Sequence, residues 1–237
     1  REAYGAARER YQQLLDAYAE PAVRARAHLG LATLVEDDDP RAAMEHYRAV
    51  AEEGGSPDDV QSALIGLARA GLASGETDVT REAAAAFTQK YPTAPRRAEV
   101  RLLALQADLE DDRQGAIEAL VGLGDAVSGP ASFEANALAA AALEGRGEVD
   151  RALDVWRRAE RVAPDPDARA RALLAEAALS MRSGRPALAA DLALAAHATV
   201  EDDDTRARSL LVAVEGMLAA ERGARAVELA ERLVTEH

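Results

Sequence analysis

The sequence contains no cysteine, so disulfides, thiolate metal sites and cysteine nucleophiles are excluded. It contains a single lysine, Lys90, and its formal net charge is -14 at pH 7. Binding to nucleic acid or to an anionic membrane surface depends on an excess of lysine and arginine. We therefore expect neither nucleic acid nor an anionic membrane to be the main partner.

Aromatic residues make up only 3% of a chain that is 49% hydrophobic. A core of mainly alanine and leucine suits thin layers of closely packed helices, and alanine, leucine, arginine and glutamate are strong helix formers. No run approaches the ~18 consecutive apolar residues of a membrane-spanning helix. The composition predicts an all-α protein, with no direct membrane insertion by this segment.

Motifs for catalysis or cofactor binding are also missing from the sequence. There is no glycine-rich phosphate loop, no Gly-x-Ser-x-Gly elbow and no Ser/His/Asp arrangement. The four histidines, His28, His46, His197 and His237, form no His-x-x-x-His pair, and we interpret them as surface or packing residues. We predict that the protein is not an enzyme and has no catalytic, cofactor or metal site.

Three acidic runs invite a calcium hypothesis, because hard cations need clustered oxygens. They are residues 36–39, 108–112 and 201–204. None has the alternating spacing and central glycine of a calcium loop. We interpret them instead as solvated turns that bring negative charge to the N-terminus of the following helix.

The sequence contains an internal repeat. Ala152 lies in a Gly-Glu-Val-Asp-Arg-Ala-Leu segment and is followed twelve residues later by Pro164. Equivalent alanines recur at intervals of 33 to 40 residues, each close to one helix–turn–helix unit. These anchor residues are Ala7, Ala43, Ala83, Ala116, Ala152, Ala189 and Ala226.

Two further sets of similar residues recur together with the anchor alanines, and we call each set a column. The residues four positions after them are Tyr11, Tyr47, Phe87, Leu120, Trp156, Ala193 and Ala230. The small residues in the preceding helix, which allow two antiparallel helices to approach closely, are Gly30, Gly66, Ala104, Ala140, Ala177 and Gly216. Because Trp156 shares the first column with Tyr47 and Phe87, we expect it to be buried between helices rather than available to a ligand.

These columns together resemble the tetratricopeptide repeat, most fully in residues 131–165. The resemblance implies a right-handed superhelical solenoid of antiparallel helix pairs, about thirteen helices in all, with helix A of each pair lining a concave groove and helix B outside. The alternative is an alanine-rich bundle in which the spacing is coincidental. The expected units of a single solenoid over residues 1–237 are 1–20 (partial), 21–57, 58–95, 96–130, 131–165, 166–202 and 203–237.

The ends of the sequence give a further expectation. The chain opens inside a B helix and stops after another B helix, without a polar capping helix. We therefore expect it to be a piece of a longer array. Self-association through the repeat ends is an alternative that the sequence leaves open.

The resemblance also implies a non-catalytic scaffold that binds a protein or peptide partner. The family's clamp for a chaperone C-terminus needs lysines and asparagines on A helices, and this chain has only Lys90 and Asn136. The phrase from Tyr91 to Pro95 resembles bacterial envelope proteins of this class, which favours periplasm or cell envelope over cytoplasm and a role in envelope assembly, secretion or polysaccharide export. The alternative is a regulatory or sensor segment of a larger cytoplasmic multidomain protein.

The resemblance also implies that the residue after each small position on helix A faces the concave groove. This row is apolar in five successive units and has charged residues around it. The candidate groove residues are Arg24, Leu31, Leu67, Arg101, Leu105, Asp108, Ala141, Arg171, Ala178 and Met181. The alternative is that the row packs against neighbouring A helices, so the solvent accessibility of the three leucines separates the two interpretations.

Overall fold

The computed structural model describes residues 2–236, and the side chains of residues 4–236. Within this part of the chain there are thirteen α-helices and no strand. The prediction of an all-α chain of about thirteen helices is confirmed. The chain divides into two compact units, the first ending at Ala116 and the second beginning at Ile117.

Unit 1 is built from six helices, each packed against the next in the sequence. They are α1 (Glu2–Ala17), α2 (Pro21–Val35), α3 (Pro40–Glu53), α4 (Pro57–Ala73), α5 (Thr77–Lys90) and α6 (Arg97–Glu110). The even-numbered helices also contact one another, α2 with α4 and α4 with α6. They are the A helices of the repeat, and the odd-numbered ones are the B helices.

In unit 2, A helices and B helices also alternate along the sequence. Its helices are α7 (Ala116–Ala126), α8 (Pro130–Gly145), α9 (Val149–Val162), α10 (Pro166–Arg182), α11 (Pro186–Thr199), α12 (Asp203–Ala219) and α13 (Gly223–Glu236). The A helix α10 contacts both of the neighbouring A helices, α8 and α12, as well as the B helices α9 and α11. None of the helices in the described part of the chain is both long and apolar enough to span a membrane.

Proline and short polar side chains set where the helices begin. Proline is the first residue of six helices, where its missing N–H would have no intrahelical partner. Asp39 caps α3 by accepting from the amide of Ala42 at 3.0 Å, and Ser56 and Asp59 form a reciprocal capping box on α4. These starting signals depend only on residues next to each helix start and not on contacts between helices.

The acidic runs behave in two different ways. Asp39 and Asp202 cap the helices that follow them, as the interpretation of solvated turns predicts. The run at 108–112 differs, because it ends α6 and faces Arg81 of α5. Asp111 Oδ2 lies 2.8 Å from Arg81 Nη1, and Asp108 Oδ1 lies 3.6 Å from the same atom. Among the described residues there is no group of three or more histidine, cysteine, aspartate or glutamate side chains placed to hold a metal ion.

The residues of the repeat columns pack against one another where the helices meet. Six of the seven anchors, from Ala43 onwards, are buried. A methyl group built on Gly66 of α4 would lie 2.4 Å from Cζ of Tyr47 on α3, and one on Gly30 would lie 2.4 Å from Cζ of Tyr11. The ring in one column thus packs directly on the glycine in the other. Trp156 is only 7% exposed, which confirms the prediction that it is buried.

Candidate partner-binding surface

The predicted groove leucines of unit 1 differ in exposure. Leu31 is 2% exposed and Leu67 is 7% exposed, whereas Leu105 is half-buried. Leu67 belongs to the hydrophobic cluster that contains Tyr47 and Met44. A groove site requires all three leucines to be at least partly exposed, and only Leu105 meets this requirement. Leu31 and Leu67 are core residues, which favours the alternative that this row is packed.

The charged candidates of unit 1 are held by ion pairs or point to solvent. Arg24 Nε lies 2.9 Å from Glu53 Oε2, and this ion pair joins α2 to the end of α3. Asp108 is shared between Arg81 and Arg113, whose Nε lies 3.5 Å from Asp108 Oδ1. Arg101 is exposed. Of these three candidates, Arg101 is the most accessible to a partner.

The exposed face of α2 and α4 is polar. Thr33, Glu36, Ser62 and Arg69 line a cleft of about 220 Å³ with the Tyr47 hydroxyl beside them. That hydroxyl donates to Glu36 Oε2 at 2.5 Å, and burial together with this hydrogen bond raises the pKa of Tyr47. The A helices of unit 1 therefore offer a partner mainly hydrogen-bonding groups.

Unit 2 presents its candidate residues differently. Ala141 of α8 and Ala178 of α10 are exposed, and Met181 is half-buried against the core. Arg171 is exposed, pairs with Glu134 on α8 at 2.6 Å and lies 4.5 Å above the centre of the Phe133 ring. The stacking and the ion pair fix the orientation of its guanidinium group.

A cleft of about 640 Å³ lies between α10 and α12, and Arg171 is one of its lining residues. The rest of the lining comes from α10 and α12, together with the residue that caps α12: Asp167, Leu174, Ala175, Asp202, Thr205 and Arg208. Hydrogen bonds from Thr205 and the charge of Arg208 lower the pKa of Asp202. Sequence reasoning missed Arg208, although it lies 37 residues after Arg171, at the interval that separates the anchors of these repeats.

The same interval reveals an apolar strip on the exposed side of the A helices of unit 2. Leu211, Glu215 and Leu218 of α12 repeat the positions of Leu174, Ala178 and Met181, so the strip is apolar except at exposed Glu215. Leu211 and Leu218 are 48% and 58% exposed. We call the following residues the A-face strip: Ala141, Leu174, Ala178, Leu211 and Leu218. Arg171 and Arg208 border the strip at the end where α10 and α12 begin.

The core of unit 2 also contains an ionisable residue that the repeat columns do not predict. Glu176 of α10 is 3% exposed, and its nearest cation, Arg157 Nε, lies 3.7 Å from Oε2. Its other oxygen, Oε1, is buried without a hydrogen-bond partner. Burial, reinforced by the charge of Glu160, raises the pKa of Glu176 to about 7, against the opposing charges of Arg157 and Arg161.

Replacing Glu176 with glutamine is expected to stabilise unit 2 at pH 8 and to change little at pH 5. A raised pKa means that the folded state binds more protons than the unfolded state, so stability is lost as pH rises towards and through about 7. Glutamine removes that loss, which amounts to about 1–3 kcal/mol. Urea unfolding followed by Trp156 fluorescence checks this, with exposed Glu215→Gln as the matched control. An equal effect at both pH values would contradict it.

The sequence interprets the histidines as surface or packing residues, and His28, His46 and His197 are all at least partly buried between helices. His28 Nδ1 of α2 lies 3.2 Å from His46 Nδ1 of α3. His197 is 4% exposed, with Nδ1 at 3.2 Å from the carbonyl oxygen of Arg206 and Nε2 at 2.8 Å from Nη2 of Arg232. Burial lowers the pKa of all three rings. His197 thus links α11, α12 and α13 as a neutral imidazole.

The sequence matches no protein-family model and no curated protein. Solved structures with a similar fold include that of MamA protein, with a TM-score of 0.55 and 16% identity over 76% of this chain and 92% of that chain. TTC0263, a thermophilic tetratricopeptide repeat protein of Thermus thermophilus, gives a TM-score of 0.51 and 19% identity over 79% and 98% of the two chains.

A putative kinesin light chain from Podosopora anserina with nearly identical tetratricopeptide-like repeats is also similar, with a TM-score of 0.52 and 15% identity over 92% of this chain and 97% of that chain. The helix pairs, the buried anchors and these likenesses agree with one another. The chain has the tetratricopeptide repeat fold.

Proposed function

We propose that this protein is a non-catalytic scaffold that binds a protein or peptide partner on the A helices. The observation that carries the proposal is the A-face strip of unit 2. On a solvent-exposed surface, apolar side chains that recur at equivalent positions of neighbouring helices favour a partner that covers them. In unit 1, Arg101 and Leu105 are the accessible candidate positions, whereas Asp108 is held by Arg81 and Arg113.

The chemistry of the strip indicates the kind of segment that would bind. Ala141 and Ala178 leave room for large side chains, and Leu211 and Leu218 offer apolar contact. An amphipathic helix or an extended apolar segment fits such a surface. Arg208, at the border of the strip, can pair with a carboxylate of the partner.

We further propose that the partner belongs to a bacterial envelope assembly, secretion or polysaccharide-export machine. The support is the phrase from Tyr91 to Pro95. This phrase also has a packing role, because the Tyr91 ring lies 5.6 Å from the Phe87 ring and Ala94 packs on the same cluster. The full-length gene tests the placement: a secretory leader upstream supports it, whereas fusion to a cytoplasmic effector domain supports a regulatory segment instead.

Photo-crosslinking in the native cell tests the binding surface. A photoreactive amino acid at Ala178 is expected to capture a defined partner, while the same amino acid at exposed Ala195 of α11 is not. Adding Leu211→Asp should reduce capture from Ala178 by about tenfold or more, because a carboxylate would have to enter an apolar contact. The melting temperature should stay unchanged, since Leu211 is 48% exposed. Equal capture from both positions would contradict the proposal.

A further inference from the structure

We propose that His28 and His46 form a binding site for a late-transition-metal dication such as Cu²⁺ or Zn²⁺, with Nδ1 of each ring as a ligand. The two residues are 18 positions apart and belong to no metal-binding motif. The antiparallel packing of α2 on α3 brings them together. This site is independent of the A-face strip, which lies in unit 2.

The geometry of the pair suits a shared metal ion. The two Nδ1 atoms are 3.2 Å apart, and the ring centres are separated by 5.4 Å with an angle of 38° between the planes. Imidazole nitrogens bind zinc at about 2.0–2.1 Å, so a separation of 3.2 Å corresponds to an N–metal–N angle of about 100°, close to tetrahedral. In the hydrogen-bonded pair the two Nδ1 atoms face each other, so each ring must turn by about 40° to aim its lone pair at one shared ion.

The protonation state of the pair also favours a metal. At this distance two bare nitrogens would repel each other, so in the metal-free protein one ring must donate an N–H to the other. Burial lowers the pKa of His28 and, together with the charge of His28, that of His46. Metal binding uses the neutral form of imidazole, in which one ring nitrogen keeps a free lone pair. Both side chains are half-buried, and Nε2 of His28 is buried without a hydrogen-bond partner.

The surrounding charges define how strong the site can be. Arg24 and Arg8 oppose a cation there, whereas Glu53 and Glu45 favour one, and Arg24 is already paired with Glu53. The described residues supply no group of three or more metal ligands, so water must complete the coordination. Such a site should follow the general order of affinities, with Cu²⁺ bound more tightly than Zn²⁺ or Ni²⁺ and with no measurable Mg²⁺ binding.

Calorimetric titration with CuCl₂, ZnCl₂, NiCl₂ and MgCl₂ at pH 7 tests the proposal. All proteins carry His237→Ala, so that this histidine cannot contribute. One ion should bind per chain, and His28→Gln or His46→Gln should each weaken binding by about tenfold or more. Binding should also weaken at pH 5, because protons compete for the same nitrogens. Unchanged affinity in the double variant would overturn the proposal.

A second measurement keeps both histidines, so that a misfolded variant cannot affect the result. In the NMR spectrum, Zn²⁺ should shift the imidazole signals of His28 and His46 and leave those of His197 unchanged, because His197 is buried and both of its ring nitrogens have partners. Zn²⁺ should also raise the melting temperature of unit 1 by linking α2 to α3. If the two rings keep their metal-free signals at saturating Zn²⁺, the pair is only hydrogen-bonded and the proposal is wrong.

Discussion

Replacing Trp156 with alanine is expected to lower the free energy of unfolding by roughly 3–5 kcal/mol. The indole is 7% exposed and belongs to α9, which packs between α8 and α10. Removing it leaves a cavity among helices that cannot close without shifting both neighbours, and the apolar contacts of the ring are lost. Urea unfolding followed by circular dichroism measures the change, because the variant has no tryptophan left.

Two further substitutions make this test specific. Leu218→Ala, in the same unit but 58% exposed, should change stability by much less, which separates burial from loss of apolar area alone. Trp156→Phe should cost less than Trp156→Ala, because it keeps most of the ring volume and removes an indole Nε1 that is buried without a hydrogen-bond partner. A loss below about 1 kcal/mol for Trp156→Ala would show that the indole does not support the core.

Replacing Gly66 with leucine is expected to destabilise unit 1 by about 3 kcal/mol or more, at the upper end of overpacking effects. Even a methyl group at Gly66 would lie 2.4 Å from Cζ of Tyr47. The ring cannot move away freely, because it is 4% exposed and its hydroxyl donates to Glu36 at 2.5 Å. Hydrogen exchange should show faster exchange of the backbone amides of α3 and α4.

Gly122→Leu is the matched control for this substitution. Gly122 is also inside a helix, but a methyl group there would meet nothing within 4 Å. Leucine at that position should be neutral or stabilise the protein by up to about 1 kcal/mol, through its higher helix propensity. Combining Gly66→Leu with Tyr47→Ala should recover part of the lost stability, because the clash is removed. Strict additivity of the two substitutions would show that the ring and the glycine are not coupled.

Local chemistry made much of the fold predictable. The prolines and the capping residues Asp39 and Ser56 fix where helices begin, and the recurrence of anchor alanines gives the order of A and B helices. The burial of Trp156 followed from its place in the same column as Tyr47 and Phe87. These features depend on residues within one repeat, so they can be read without knowing how the repeats pack.

The candidate surface was predictable only in part. The residue that follows the small residue lies on the corresponding side of each A helix, as the helical period of 3.6 residues requires. Yet Leu31 and Leu67 are buried, whereas Ala141 and Ala178 are exposed. A Leu67→Asp variant would therefore place a carboxylate in the cluster with Tyr47 and Met44 and would test the core, not a groove.

The sequence by itself determined the helices, their limits and the repeat register, because these depend on propensity, capping and periodicity along the chain. Only the tertiary structure decided which side of each A helix stays open, how His28 meets His46 and why Glu176 lies in the core. Those outcomes depend on the rotation of each helix about its own axis. That rotation is set by the sizes of side chains on neighbouring helices, such as Tyr47 against Gly66, and periodicity does not encode it.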